Sequence, residues 1–252
     1  MTYGIEVFKE HFSAYKEQYT VIGGMACDLL MNDAGLDFRL TQDIDMVLIV
    51  EALTTDFGKA IWQFIEDGGY TTRLSSTGQS KFYRFVNPTN LAYPKMLELF
   101  SRPQSGVQLQ AIGHLIPLHI DDEISSLSAI LLNDNYYKFL LTGRTIASEV
   151  SVLDAVHIIP LKMKAWLDLT ERKARGEHVN DRDLRKHRQD VFRLFPLINA
   201  ADRIPAPVEV YNDIQNCIKK MRTIDIDLAA IHITRDKETM LDVYEQIYIR
   251  NK

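Results

Sequence analysis

The chain has 252 residues, 46% of them hydrophobic and 25% charged, with a net charge of -5; such a composition excludes a disordered or fibrous polypeptide and suits one large or two ordinary globular domains. No apolar run approaches the roughly 20 residues that span a bilayer. The N-terminus carries Glu6, Lys9 and Glu10 where a secretory leader would be apolar.

In chain order, Phe8, Phe12 and Tyr15 recur at helical spacing and predict an amphipathic helix that ends near Gln18. Residues 19–22 form a short β-prone run closed by Gly23 and Gly24, and residues 25–31 a short helix opening directly after the glycines. Residues 43–50 give the strongest strand signal in the chain. The stripe Phe57, Ala60, Ile61, Phe64 and Ile65 predicts a helix stopped by Gly68 and Gly69. Strands are predicted at 70–74, 81–86 and 95–100, and, less regularly, at 114–120 and 136–141 around a helix at 123–132. Beyond residue 152 the pattern is helical: 153–170, which Pro160 should kink or restart, then 183–194, 208–221 and 237–249. The expected fold class is α+β, with a small mixed-sheet domain at 1–150 and a helical C-terminal domain at 151–252.

The chemistry concentrates between Val21 and Val50. Asp43 and Asp45 are two apart on a strand and so share a face, while Ile44 turns to the core. A strand that runs into two glycines and then a helix leaves backbone N–H groups converging with no Cβ to block a phosphate. Two carboxylates beside such a turn suit a hydrated divalent ion carrying a nucleotide. Thr41 and Arg39, two and four residues before Asp43, share its face if the strand begins that early. Glu98 stands in the apolar run Met96–Phe100, where an unpaired carboxylate is costly to bury; Asp43, Asp45 and Glu98 are expected to converge on one or two divalent ions. The chain repeats the tripeptide at Asp225-Ile226-Asp227 with no glycine turn before it. In the helical region expected there, its carboxylates would splay roughly 200° apart, so this copy is read as inert.

Charge is uneven along the chain. Residues 162–193 hold 10 Lys and Arg against 6 Asp and Glu, whereas residues 1–161 hold 11 against 19. The basic segment is either a solvated helix face or a source of cations for a polyphosphate or RNA. Lys162 and Lys186 fall in it, and as exposed cations would compensate the charge of a leaving pyrophosphate. Cys27 and Cys217 give neither metal-ligand spacing nor a disulfide framework, so a reducing, cytoplasmic setting is expected.

The segments GGMACDLL…RLTQDID, MLELF and LKMKAWLDLTERK…DLRKHRQDVFRL together resemble the nucleotidyltransferase-fold family of the AbiEii/AbiGii toxin type, within the wider DNA-polymerase-beta-like superfamily. The resemblance covers the chain to about residue 100 and again from about 161 to 194. It implies that Gly23 and Gly24 hold a triphosphate, with Thr41 supporting nucleotide binding. It further implies that Asp43 and Asp45 bind Mg²⁺ or Mn²⁺ with Glu98 as third carboxylate, and that Lys162, Lys186 and Asp190 match the family's later segments. His187 stands where that pattern carries an aspartate. The implied activity is transfer of a nucleoside monophosphate from an NTP to an RNA, a protein or a small molecule, with a toxin role and an antitoxin partner, and with neither membrane association nor DNA sequence recognition. The alternative is a nucleotide-binding or interaction protein on the same fold without turnover.

Overall fold

The computed structural model describes residues 4–72, 81–101, 130–131 and 133–251. These fall into two units. The residues up to 101 and Arg144–Asp154 make one; those from 130 to Gly143 and from Ala155 onward make the other. The predicted segments 114–120 and most of 123–132 lie outside the described residues.

The first unit is built on a seven-stranded mixed sheet in the order β3-β4-β5-β2-β1-β7-β6. Its strands are β1 (Tyr19–Ile22), β2 (Asp43–Leu48), β3 (Thr71–Thr72), β4 (Lys81–Val86), β5 (Met96–Ser101), β6 (Arg144–Ala147) and β7 (Val150–Leu153). β1 pairs antiparallel with β2 and parallel with β7, and β2 pairs parallel with β5. Every residue of β1 is buried, as a central strand covered on both faces requires. Helices α1 (Ile5–Phe12), α2 (Gly23–Asp33) and α3 (Thr55–Gly68) complete the unit. The predicted first helix ends at Phe12 and tightens into a 3₁₀ segment over Ser13–Gln18. In α3, Phe57, Ile61, Phe64 and Ile65 are all buried. Thr54 Oγ1 caps the start by accepting from the Phe57 N–H, and Gly69 ends the helix in the left-handed region at φ 60°. The Phe8 and Phe12 rings meet the Phe64 ring at 6.0 and 5.1 Å, which locks α1 to α3.

The division of the chain differs from the expected break at residue 150. β7 pairs with β1 and so belongs to the sheet, while residues 136–141, read as a strand, lie inside helix α4 (Asp134–Thr142) of the second unit. The aromatic run suggested β structure, but Asn133 accepts from the N–H groups of Asn135 and Tyr136 and starts a helix. The β6–β7 hairpin turns at Ser148 and Glu149, both with positive φ and neither a glycine. Ser148 N–H and its hydroxyl donate to the two Asp33 oxygens and hold that turn.

The second unit also contains α5 (Ala155–Ala174), α6 (Asp181–Arg193), α7 (Val208–Arg222) and α8 (Lys237–Ile247), with a two-stranded parallel sheet of β8 (Ile204–Ala206) and β9 (Tyr248–Arg250). α5 runs through Pro160 as one element. Pro160 cannot donate to the Val156 carbonyl four residues back, but the Tyr248 hydroxyl does so at 2.6 Å. A tertiary hydrogen bond thus fills the gap that was expected to interrupt the helix. The second Asp-Ile-Asp also departs from expectation: residues 225–227 are irregular, not helical. Among the described residues no helix is long and apolar enough to cross a membrane.

Candidate functional site

The register of β1 and β2 sets Ile22 opposite Asp45. The next residue, Gly23, has φ +69°, a conformation that side chains strain to adopt, and a Cβ there would run into the Asp45 carboxylate. A Cβ on Gly24 would stand 2.8 Å from Thr41 Oγ1 and 3.4 Å from Arg39 Nη2. The missing side chains therefore let a carboxylate, a hydroxyl and a guanidinium close on the first turn of α2. That turn has Ile22 as N-cap, which offers it no side-chain hydrogen bond, and it is the positive pole of the helix. Cys27 is buried, and its thiol donates to the Gly23 carbonyl at 2.9 Å and braces the turn from within.

Residues 39–41 precede β2, which begins only at Asp43. Shared strand alternation is thus not what brings Arg39 and Thr41 to the site; the loop folds back over Gly24 and leaves Thr41 8% exposed. Asp43 and Asp45 are half-buried on one face of β2, and Ile44 between them is fully buried.

Glu98 departs from its expected part. It pairs in register with Asp45 on one side and with Arg84 of β4 on the other. Arg84 Nε donates to Glu98 Oε1 at 2.6 Å, with both side chains largely buried. Among the described residues no group of three or more His, Cys, Asp or Glu is gathered to hold a metal. The anticipated convergence of three carboxylates is corrected on this point: the charge of Glu98 is balanced by a guanidinium. Arg84 was missed in the sequence, although it sits between Tyr83 and Phe85, both buried, on the opposite strand face.

The two lysines lie in the second unit. Lys162 is 1% exposed, and its ammonium is 3.1 Å from Asp190 Oδ2. Arg193 Nη1 reaches the other Asp190 oxygen at 3.3 Å. The expectation that Lys162 is an exposed cation is overturned: burial of a carboxylate on α6 demands a counter-charge, and Lys162 supplies it. Lys186 is half-buried on α6, one turn before Asp190, and His187 is buried. Much of the basic segment is matched by acids of its own unit: Lys164 with Asp168 and Asp213, Arg172 and Arg175 with Glu177, Lys173 with Asp181. Around Asp213, which also accepts from the Tyr136 hydroxyl at 2.9 Å, burial holds the Asp168 carboxyl above its usual range, against the pull of Lys164. The i, i+4 spacing of Lys164 and Asp168 was a legible sign of this pair; the contribution of α7 was not.

The donor set of the first unit suits a hard divalent cation. Two carboxylates on one strand face leave most of an octahedral shell to water and phosphate oxygens, as Mg²⁺ prefers. Asp43 and Asp45 would hold such an ion at the first turn of α2, where the Asp45 carboxylate and the Thr41 hydroxyl take the space that side chains at positions 23 and 24 would fill.

No protein-family profile matches the sequence, and no curated protein matches it closely enough to count. Two solved structures are similar in part. One is an antigenic nucleotidyltransferase-like protein from Paracoccidioides brasiliensis, with 16% identity over 96% of this chain and 95% of that one, at a TM-score of 0.44. The other is a candidate nucleotidyltransferase from H. pylori, with 13% identity over 96% and 88%, at a TM-score of 0.38. At these TM-scores neither likeness bears on family or activity.

Proposed function

We propose that this protein is a metal-dependent nucleotidyltransferase, with Asp43 and Asp45 as metal ligands and Gly23 and Gly24 as the seat of the triphosphate. The observation that carries the reading is the seating of the Asp45 carboxylate directly against Gly23 at the start of a helix. A bound Mg²⁺ or Mn²⁺ would supply Lewis-acid polarisation of the phosphorus and a template for in-line displacement. The residues then have distinct tasks. Asp43 and Asp45 orient the cation, α2 offers backbone N–H groups to phosphate oxygens, and Thr41 and Arg39 close the site from the loop side. The acceptor is an RNA, a protein or a small molecule. The resemblance to AbiEii/AbiGii-type toxins favours a cytoplasmic toxin held in check by an antitoxin.

A second reading, a nucleotide-binding protein without turnover, is favoured by the engagement of Glu98 with Arg84, which removes one carboxylate from the role of general base. Incubation with each α-labelled NTP, Mg²⁺, total RNA and cell lysate tests the first reading. Label entering a macromolecular or small-molecule acceptor supports transfer. Binding of NTP by titration calorimetry with no incorporation supports the second reading, and neither binding nor incorporation rejects both.

A further inference from the structure

We propose that Arg84 withholds Glu98 from metal coordination, so that the site takes one divalent cation, on Asp43 and Asp45, and not two. This rests on the metal-site reading of Asp43 and Asp45 given above. Three adjacent strands place Arg84, Glu98 and Asp45 in one row across the sheet, because Glu98 is in register with both of the others. Residues in register project from the same face, so the row reads cation, anion, anion, and ends at the glycine turn. Asp43 is in register with Met96 and, through it, with Val86; the neighbouring row therefore has no further acid on β5 or β4.

The Arg84–Glu98 contact is short and largely dry: 2.6 Å, with side chains 17% and 9% exposed. A charge-assisted hydrogen bond in such a setting is strong, and losing one partner leaves an uncompensated buried charge. A second cation would have to compete with the guanidinium for Glu98, and taking Oε1 would leave Arg84, only 17% exposed, without that counter-charge. Arg84 is thus a positioning residue: it fixes the rotamer of Glu98 and offsets the repulsion between Glu98 and Asp45 before any metal arrives. In this arrangement Arg84 holds Glu98 from the strand on the side away from Asp45.

Mn²⁺ titration of the full chain, followed by electron paramagnetic resonance and calorimetry, tests this without reference to turnover. The expected stoichiometry is one Mn²⁺ for the unmodified chain and one for Glu98→Gln, with Kd changed by no more than about threefold because a ligand has not been lost. Arg84→Ala, which frees Glu98, should bind a second Mn²⁺; Arg84→Lys and the double variant Arg84→Ala/Glu98→Gln should return to one. Two ions on the unmodified chain would overturn the proposal. So would roughly tenfold or greater weakening in Glu98→Gln, the scale of a lost metal-site partner, or a single ion in well-folded Arg84→Ala. Where circular dichroism shows Arg84→Ala unfolded, the unmodified chain and Glu98→Gln decide. Absence of Mn²⁺ binding, or binding unaffected by Asp45→Asn, rejects the metal site itself and this proposal with it. Loss of the ion in both Asp45→Asn and Glu98→Gln rejects this proposal alone.

Discussion

The tripeptide Asp-Ile-Asp occurs once in each unit and has a different structure in each. At Asp43–Asp45 it opens a strand, with Ile44 in the core and both carboxylates on one face beside a glycine turn. At Asp225–Asp227 it is irregular chain, where Asp227 accepts from the Ala230 N–H and caps a short 3₁₀ turn. The same residues become a candidate metal site or a local cap according to what precedes them: a buried strand ending in two glycines in one case, the end of α7 in the other. Charge pairing is found in both units: Arg84 with Glu98 and Lys59 with Asp56 in the first, and Lys162 with Asp190, Lys164 with Asp168 and Arg172 with Glu177 in the second.

The comparison breaks most decisively at the aspartates. Asp43→Asn or Asp45→Asn should lower nucleotide transfer by at least about 10³-fold, near 4 kcal/mol of transition-state stabilisation, while the melting temperature stays within a few degrees. Asp225→Asn and Asp227→Asn should leave transfer intact; the reverse pattern, read by labelled-NTP incorporation, would exchange the roles of the two copies.

Lys162→Ala comes next and measures how far the second unit uses its charges structurally. Removing one partner of a buried pair costs about 3–5 kcal/mol, so the melting temperature should fall by on the order of 10 °C. A melt indistinguishable from the unmodified chain, with weakened NTP binding, would return Lys162 to the role of phosphate ligand. Gly23→Ala follows. The left-handed backbone alone costs about 1–2 kcal/mol, and the new Cβ must push the Asp45 carboxylate aside. Mn²⁺ and NTP affinity should therefore fall together in calorimetry, whereas Gly35→Ala, at a positive φ but in open space, should lose only stability. The smallest effect is expected for Asp227→Ala, where loss of an exposed cap costs about 1 kcal/mol or less and NTP affinity does not change.

The elements around the site were legible because their signals are local. Alternation identified β2, the Phe57 stripe identified α3, and a glycine pair after a β-prone run marked the start of α2. What escaped was set by distant partners. The burial of Lys162 depends on Asp190, a helix away, and the restraint on Glu98 comes from a neighbouring strand whose pairing no spacing rule specifies. Pro160 looked like a break because the hydroxyl that satisfies Val156 belongs to Tyr248, near the far end of the chain. The helix at Asp134–Thr142 was hidden by aromatic residues that favour strands in general but here follow an asparagine cap.

The order in which the strands enter the sheet has a consequence for synthesis. β1 leaves the ribosome well before its parallel neighbour β7, which pairs Val152 with Val21. Closing so long a span costs only slowly increasing entropy, but contacts of this separation delay folding. Until β7 and its hairpin partner are made, one edge of β1, a strand buried at every residue in the finished fold, has no strand to cover it, and a nascent chain halted in that interval exposes an edge prone to mispairing. A fragment ending at residue 143 should therefore aggregate, whereas one ending at residue 154 has every strand of the sheet.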